Sequence, residues 1–188
     1  MRFWREFVAE RALRRRAETY VRSLHAEPAE DDVRWLAERT AGRDADHARW
    51  ELRYALRALG LVVARRDALD DRTASVVAHA LTEALRHDGH VASGMRKVAE
   101  RQFNARLTLY ADALSVRGPA AASAKRLGRA LLEFSGSDSV REESAVARAG
   151  ELLVAYEARA HESLRAAFGG AAGAAPAIVS PPAQAAAE

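Results

Sequence analysis

Apolar residues recur along most of this chain at steps of three and four, the spacing that lines one face of an α-helix. The clearest stretch is residues 46–87. Trp50, Tyr54, Leu61 and Val62 fall on one side of a helical wheel, while Arg49, Arg53 and Arg57 recur every four residues on another. After an acidic break at Asp70-Asp71, Val77, Leu81 and Leu85 form a second, narrower stripe, with Arg72, Thr82 and Arg86 left for other faces. One of the two aspartates offers an N-cap oxygen and a charge suited to the positive end of the helix dipole. The pattern predicts a helical hairpin with antiparallel arms. Neither arm stands alone, because a short helix in water is marginal until its apolar face is packed.

The remaining segments read the same way. Residues 3–24 place Phe3, Phe7, Tyr20, Val21 and Leu24 on a broad apolar side, opposite a face rich in arginine. Pro28 suits the first turn of a short acidic helix carrying Glu30, Asp31, Asp32, Trp35 and Leu36. That helix ends at Ala41-Gly42, and its acids are expected to face the basic first helix or the Arg49, Arg53, Arg57 ladder. Over residues 91–116, Met95, Ala99, Phe103, Leu107, Tyr110 and Leu114 give a core stripe, and Glu100, Asn104, Thr108 and Asp112 an opposing polar line. Gly118-Pro119 breaks that helix, and a shorter one follows with Leu127, Leu131 and Phe134 as its apolar positions. Ser139 and Glu142 have the spacing of a capping box ahead of the last helix, residues 140–168. Along that helix Val140, Ala147, Val154, His161 and Phe168 recur every seven residues, and Gly150 and Glu157 between them speak against a dedicated coiled coil. Gly169-Gly170 stops the helix.

These elements imply an all-α fold: a single-domain helical bundle of about six or seven helices over residues 1–168. The Ala/Gly/Pro-rich remainder, 169–188, is expected to be a disordered tail, since Ile178 and Val179 are its only sizeable apolar groups.

Composition sharpens this picture in two respects. At 188 residues without cysteine, the chain has the length of one domain and neither disulfides nor thiolate metal sites, which fits a reducing compartment. Charged residues interrupt the first turns, and no run approaches the roughly 20 apolar residues of a membrane span. A cytoplasmic protein is expected. The net charge is only +3, and its basic residues are arginine apart from Lys97 and Lys125. The even balance disfavours nucleic acid, because the aromatics lie on apolar faces and not beside a basic stripe. A membrane-surface role for residues 1–24 rests on Phe3, Trp4 and Phe7 opposite arginines, and three glutamates on the same segment weaken it.

Few residues carry candidate chemistry. There is no P-loop, no Gly-x-Gly-x-x-Gly and no Gly-x-Ser-x-Gly elbow, so no catalytic residue is assigned and an enzyme is not expected. The Arg49, Arg53, Arg57 ladder could hold phosphate or an acidic partner. His79, Glu83 and His87 line one helix face at steps of four, and Glu157 and His161 repeat the spacing. Were the two helices neighbours, His79, Glu83, Glu157 and His161 could converge on zinc, iron or manganese in a ferritin-like bundle core. Against this, the Glu-x-x-His motif of carboxylate di-iron proteins is absent. The leading expectation is therefore a non-enzymatic protein–protein interaction or scaffolding module without cofactor, binding a protein partner or itself as a homo-oligomer. Its basis is the width of the apolar sides of the first and third helices. The alternative is a metal- or small-ligand-binding bundle using the four residues just named.

Overall fold

Seven α-helices and three short 3-10 turns, with no strand, make up the residues that the computed structural model describes, 2–68 and 70–169. In chain order the helices are α1 (Arg2–Ser23), α2 (Glu30–Ala37), α3 (Ala45–Asp67), α4 (Asp71–Arg86), α5 (Arg96–Ser115), α6 (Ala120–Phe134) and α7 (Glu143–Phe168). The expected tail beyond Gly169 and the side chain of Phe3 lie outside the described residues. Gly169, at a φ of 89°, follows the end of α7.

The molecule is built around α3. Every residue from 51 to 61 is buried, and α2, α4, α5, α6 and α7 all pack against it. A helix covered on most sides must be apolar over most of its surface, and Leu52, Ala55, Leu56, Ala58, Leu59, Leu61 and Val63 supply it. The broad apolar side read from the sequence is thus consumed within the fold. Asp44 caps the start of α3 by accepting from the His47 backbone N–H at 2.9 Å.

The hairpin forms as expected. Asp70 is the cap, accepting from the Thr73 N–H, and α4 turns back to lie between α1 and α3. The acids around α2 meet the ladder: Arg49 donates to Glu30 at 3.1 and 3.2 Å, and Arg53 to Glu27 at 2.7 and 2.8 Å. The polar line of α5 is exposed throughout, and of its expected core stripe Phe103 and Tyr110 are buried.

Two local expectations are corrected. Ser139 and Glu142 do not form a capping box: residues Asp138–Arg141 turn as a 3-10 helix, the Ser137 hydroxyl accepts from the Ser139 N–H at 3.1 Å, and Glu142 precedes α7 with no side-chain cap. Nor is the seven-residue series the packing face of α7, because Ala147 and Val154 are exposed. The buried face steps by three and four through Ala145, Ala149, Leu153, Tyr156, Ala160 and Leu164, with Val146 and Gly150 beside it. Small residues prevail there because α6 lies so close that its Gly128 meets the backbone of Val146 and Gly150.

Apolar surface does remain uncovered on α1. Its second half is core, with Ala17, Tyr20, Val21 and Leu24 buried, but Trp4 is 72% exposed and Phe7 and Val8 are exposed beside it. No helix among the described residues is long and apolar enough to cross a membrane.

Candidate functional site

One face of α3 is left partly open by its neighbours. Trp50, Tyr54, Arg57, Leu61 and Arg65 follow one another at steps of four and three, and form the floor of a cleft walled by α4 and α5. From α4 come Thr82, Leu85 and Arg86, and from α5 Arg96, Phe103 and Leu107. Its free volume is about 160 Å³. An apolar cavity of about 150 Å³ accommodates a benzene ring.

The cleft has an aromatic end and a charged centre. Trp50, Tyr54 and Phe103 stand in series, with ring centroids 5.6 Å apart for the first pair and 6.4 Å for the second. At the centre is Arg57, only 3% exposed, with Nη1 2.8 Å from Oδ2 of Asp88, itself 4% exposed. The approach is that of an ion pair, but it lies off the hydrogen-bonding direction. Arg57 Nε and Nη1 and Asp88 Oδ2 are consequently buried without a hydrogen-bond partner among the described residues. Nη1 and Oδ2 still face each other as an ion pair, whereas Arg57 Nε has no partner at all, and buried polar atoms are nearly always hydrogen-bonded.

Position explains each shift in charge state here. Burial lowers the pKa of the Arg57 guanidinium, opposed by the charge of Asp88. For Asp88 burial acts to raise the pKa, but the His90 backbone N–H, donating to Oδ1 at 3.0 Å, together with Arg57, holds it below the usual carboxylate range. Asp88 follows the end of α4, so its place is fixed by the link to α5. His25 lies on the other side of the pair. Burial keeps its pKa below the ordinary imidazole value, although Nδ1 engages the Val21 carbonyl at 2.9 Å.

A second buried pair braces the aromatic end from behind. Glu51, 2% exposed, accepts from Arg106 Nε at 2.7 Å and from its Nη2, while Arg106 Nη1 donates to the Gln102 carbonyl at 2.9 Å. The Arg106 guanidinium also lies 4.4 Å from the ring centroid of Phe134 and 5.1 Å from that of Tyr54. In contrast to Arg57, this arginine is well satisfied and is structural.

The four residues considered for a metal fall into two places. His79 and Glu83 line the groove between α1 and α4, together with Glu18, His25 and His87. Glu157 and His161 instead meet the end of α3: Arg66 Nη2 lies 2.9 Å from Glu157 Oε1 and 2.8 Å from His161 Nε2, and His161 Nδ1 is 3.1 Å from Asp67 Oδ2. The structure does not gather the two pairs into one cluster, and an arginine occupies the space beside the second. Among the described residues no group of three or more His, Cys, Asp or Glu side chains is placed to hold a metal ion.

Arg57 is visible in the sequence as the last rung of the ladder, whereas no spacing or motif singles out Asp88. Glu51 and Arg106 carry no motif at all. Comparison with protein-family models, with curated proteins and with solved structures found no match to this chain.

Proposed function

We propose that this protein is a non-enzymatic, cytoplasmic helical bundle that binds a small organic ligand in the cleft between α3, α4 and α5. The observation that carries the reading is Arg57: a buried cation at the centre of a cleft, paired out of line with Asp88 and with an Nε that has no hydrogen-bond partner among the described residues. Ligand sites join apolar and aromatic surface to polar groups that fix orientation, and this cleft sets Trp50, Tyr54 and Phe103 beside Arg57.

The test uses the three tryptophans. Trp50 lies in the cleft, whereas Trp35 packs beneath Arg39 and Arg148, and Trp4 is exposed on α1. Titrating single-ring fragments into the labelled full chain should move the Trp50 indole N–H resonance saturably and leave the other two in place. Ala99→Leu, which adds bulk to the cleft wall, should abolish the response while circular dichroism and thermal melting show the bundle intact. No saturable Trp50 shift from any fragment, or a shift indifferent to Ala99→Leu, would overturn the reading.

A second reading, an interaction or scaffolding module, is favoured by Trp4, Phe7 and Val8 standing exposed together on α1. Its test is light scattering of the full chain. A strict monomer at high concentration that is unaltered by Trp4→Ser removes self-association through this helix end.

A further inference from the structure

We propose that the ligand of this cleft is a carboxylate borne on a flat ring, and that Asp88 is the built-in carboxylate it displaces from Arg57. This rests on the cleft being a ligand site and names the chemistry it selects.

Four observations define the class. First, charge: of the arginines lining the cleft, Arg57 faces Asp88, and Arg86 donates to Glu83 at 2.8 Å. Arg65 and Arg96 have no acidic partner within 4.0 Å among the described residues, and Glu100 is the remaining acid in the lining. The lining therefore carries four arginines against two acids, and positive charge is left over even with Glu83 counted from outside it, which selects an anion. Second, shape: Trp50, Tyr54 and Phe103 form a continuous aromatic end, and flat rings pack against such surfaces in offset or tilted contact. Third, size: about 160 Å³ has room for one ring.

The fourth is the geometry of the resident pair. Arginine presents a planar fork of N–H donors that two carboxylate oxygens meet together. Arg53 with Glu27 and Arg106 with Glu51 achieve this through paired hydrogen bonds. Asp88 does not: one of its oxygens is held by the His90 N–H, and the other meets Arg57 out of line. The tether that fixes Asp88 keeps it from using the fork. A free carboxylate entering from the cleft has no such tether, and can supply the aligned acceptors that Asp88 withholds. Asp88 meanwhile keeps the guanidinium neutralised when the cleft is empty, a state in which an unpaired buried cation would be costly.

The experiment compares benzoate, its neutral isostere benzamide, and inorganic phosphate on wild type, Asp88→Asn and Ala99→Leu. In wild type, benzoate should bind at least about tenfold tighter than benzamide, as expected when a charge-assisted contact is lost. The Asp88→Asn side chain retains an oxygen for the His90 N–H but leaves Arg57 without a counter-charge. That variant should melt below wild type and recover part of the loss in benzoate. At tenfold its Kd, benzoate should raise the Tm by roughly 3–6 °C, with a larger rise in Asp88→Asn than in wild type at equal concentration. Benzamide should give no selective rescue. Equal binding of benzoate and benzamide, both blocked by Ala99→Leu, overturns the carboxylate assignment and leaves the cleft reading standing, as does phosphate binding tighter than benzoate. Absence of any Ala99→Leu-sensitive binding sinks both. Should Asp88→Asn fail to fold, the wild-type ratio of benzoate to benzamide affinity decides the assignment by itself.

Discussion

Replacing Gly128 by alanine should destabilise this protein even though alanine is the better helix former. Gly128 lies in the middle of α6 facing α7, and a methyl group built on it would stand 2.7 Å from the backbone nitrogen of Gly150 and closer still to the Val146 carbonyl oxygen. An ordinary contact of that kind is 3.4–4 Å. The obstacles are backbone atoms of a helix, so no side-chain rotation relieves them, and α6 and α7 must separate by about 1 Å. A gap of that size forfeits a quarter to a half of the dispersion energy of each atom pair along the contact. Overpacking generally costs about 1–3 kcal/mol, and a rigid obstacle places this site at the upper end. Set against a helix-propensity gain of about 1 kcal/mol, the net loss is about 2 kcal/mol, which lowers the Tm of a domain this size by roughly 4–8 °C. Gly150 approaches Ala124 as closely, so Gly150→Ala should behave alike, whereas Gly89 and Gly94 have nothing within 4 Å and serve as controls. The measurement is urea and thermal unfolding of the three kinds of variant. Gly128→Ala melting at or above wild type would refute the close approach of α6 and α7.

Two further outcomes are expected. Glu51→Ala strands the Arg106 guanidinium in the core and should cost about 3–5 kcal/mol in urea unfolding, whereas Glu51→Leu with Arg106→Met should recover most of it; additive losses in the double variant would contradict the pairing. For His25 the folded pKa is depressed from its ordinary 6.5 by burial. The unfolded chain then binds a proton more readily, so this group's contribution to stability is full above pH 6.5 and is lost as pH falls from there through the folded value. Unfolding curves measured from pH 8 downward should therefore show wild type losing stability over that interval relative to His25→Leu, and parallel curves would show that His25 is not buried beside Arg57 and Asp88.

Local chemistry makes the helices legible. Asp70 can do little but cap, Gly118-Pro119 cannot continue a helix, and the four-residue stripes of α3 and α4 admit one periodicity. Neighbour relations are less accessible, because they depend on shapes that no short window contains. Val140, Ala147, Val154, His161 and Phe168 recur evenly in α7, yet the face that packs is set by how near α6 can come, and Gly128 and Gly150 decide that from separate helices. Gly150, which speaks against a coiled coil, is what permits the close approach. The spacing of Glu157 and His161 does mark one helix face, but their neighbours, Arg66 and Asp67, come from the end of α3. Nor can the apolar width of α3 distinguish a central helix from an interaction surface, since both demand the same residues.

The buried charges of α3 follow one rule with one exception. Glu51, Arg53 and Arg57 occupy a helix surrounded by other helices, and each draws its counter-charge from a different part of the chain: Arg106 on α5, Glu27 ahead of α2, and Asp88 after α4. The Glu51 and Arg57 pairs are buried, and buried pairs contribute little net stability against apolar replacements of the same volume, while Glu27 is half exposed. They can still fix register, because each neighbour must arrive with its charge opposite the right turn of α3, and a wrong arrival leaves an ion unpaired. Register alone would be served best by aligned hydrogen bonds, and the first two pairs have them. The third does not, although Arg57 is as deeply buried as Glu51. There the acid is held by a second bond, to the His90 N–H, and the pair lies at the centre of the cleft between α3, α4 and α5. A pair needed purely for packing has no reason to be the loosest where it meets open space, and that coincidence is why Arg57, and not the better-satisfied Arg53 or Arg106, is the residue on which a ligand should be sought.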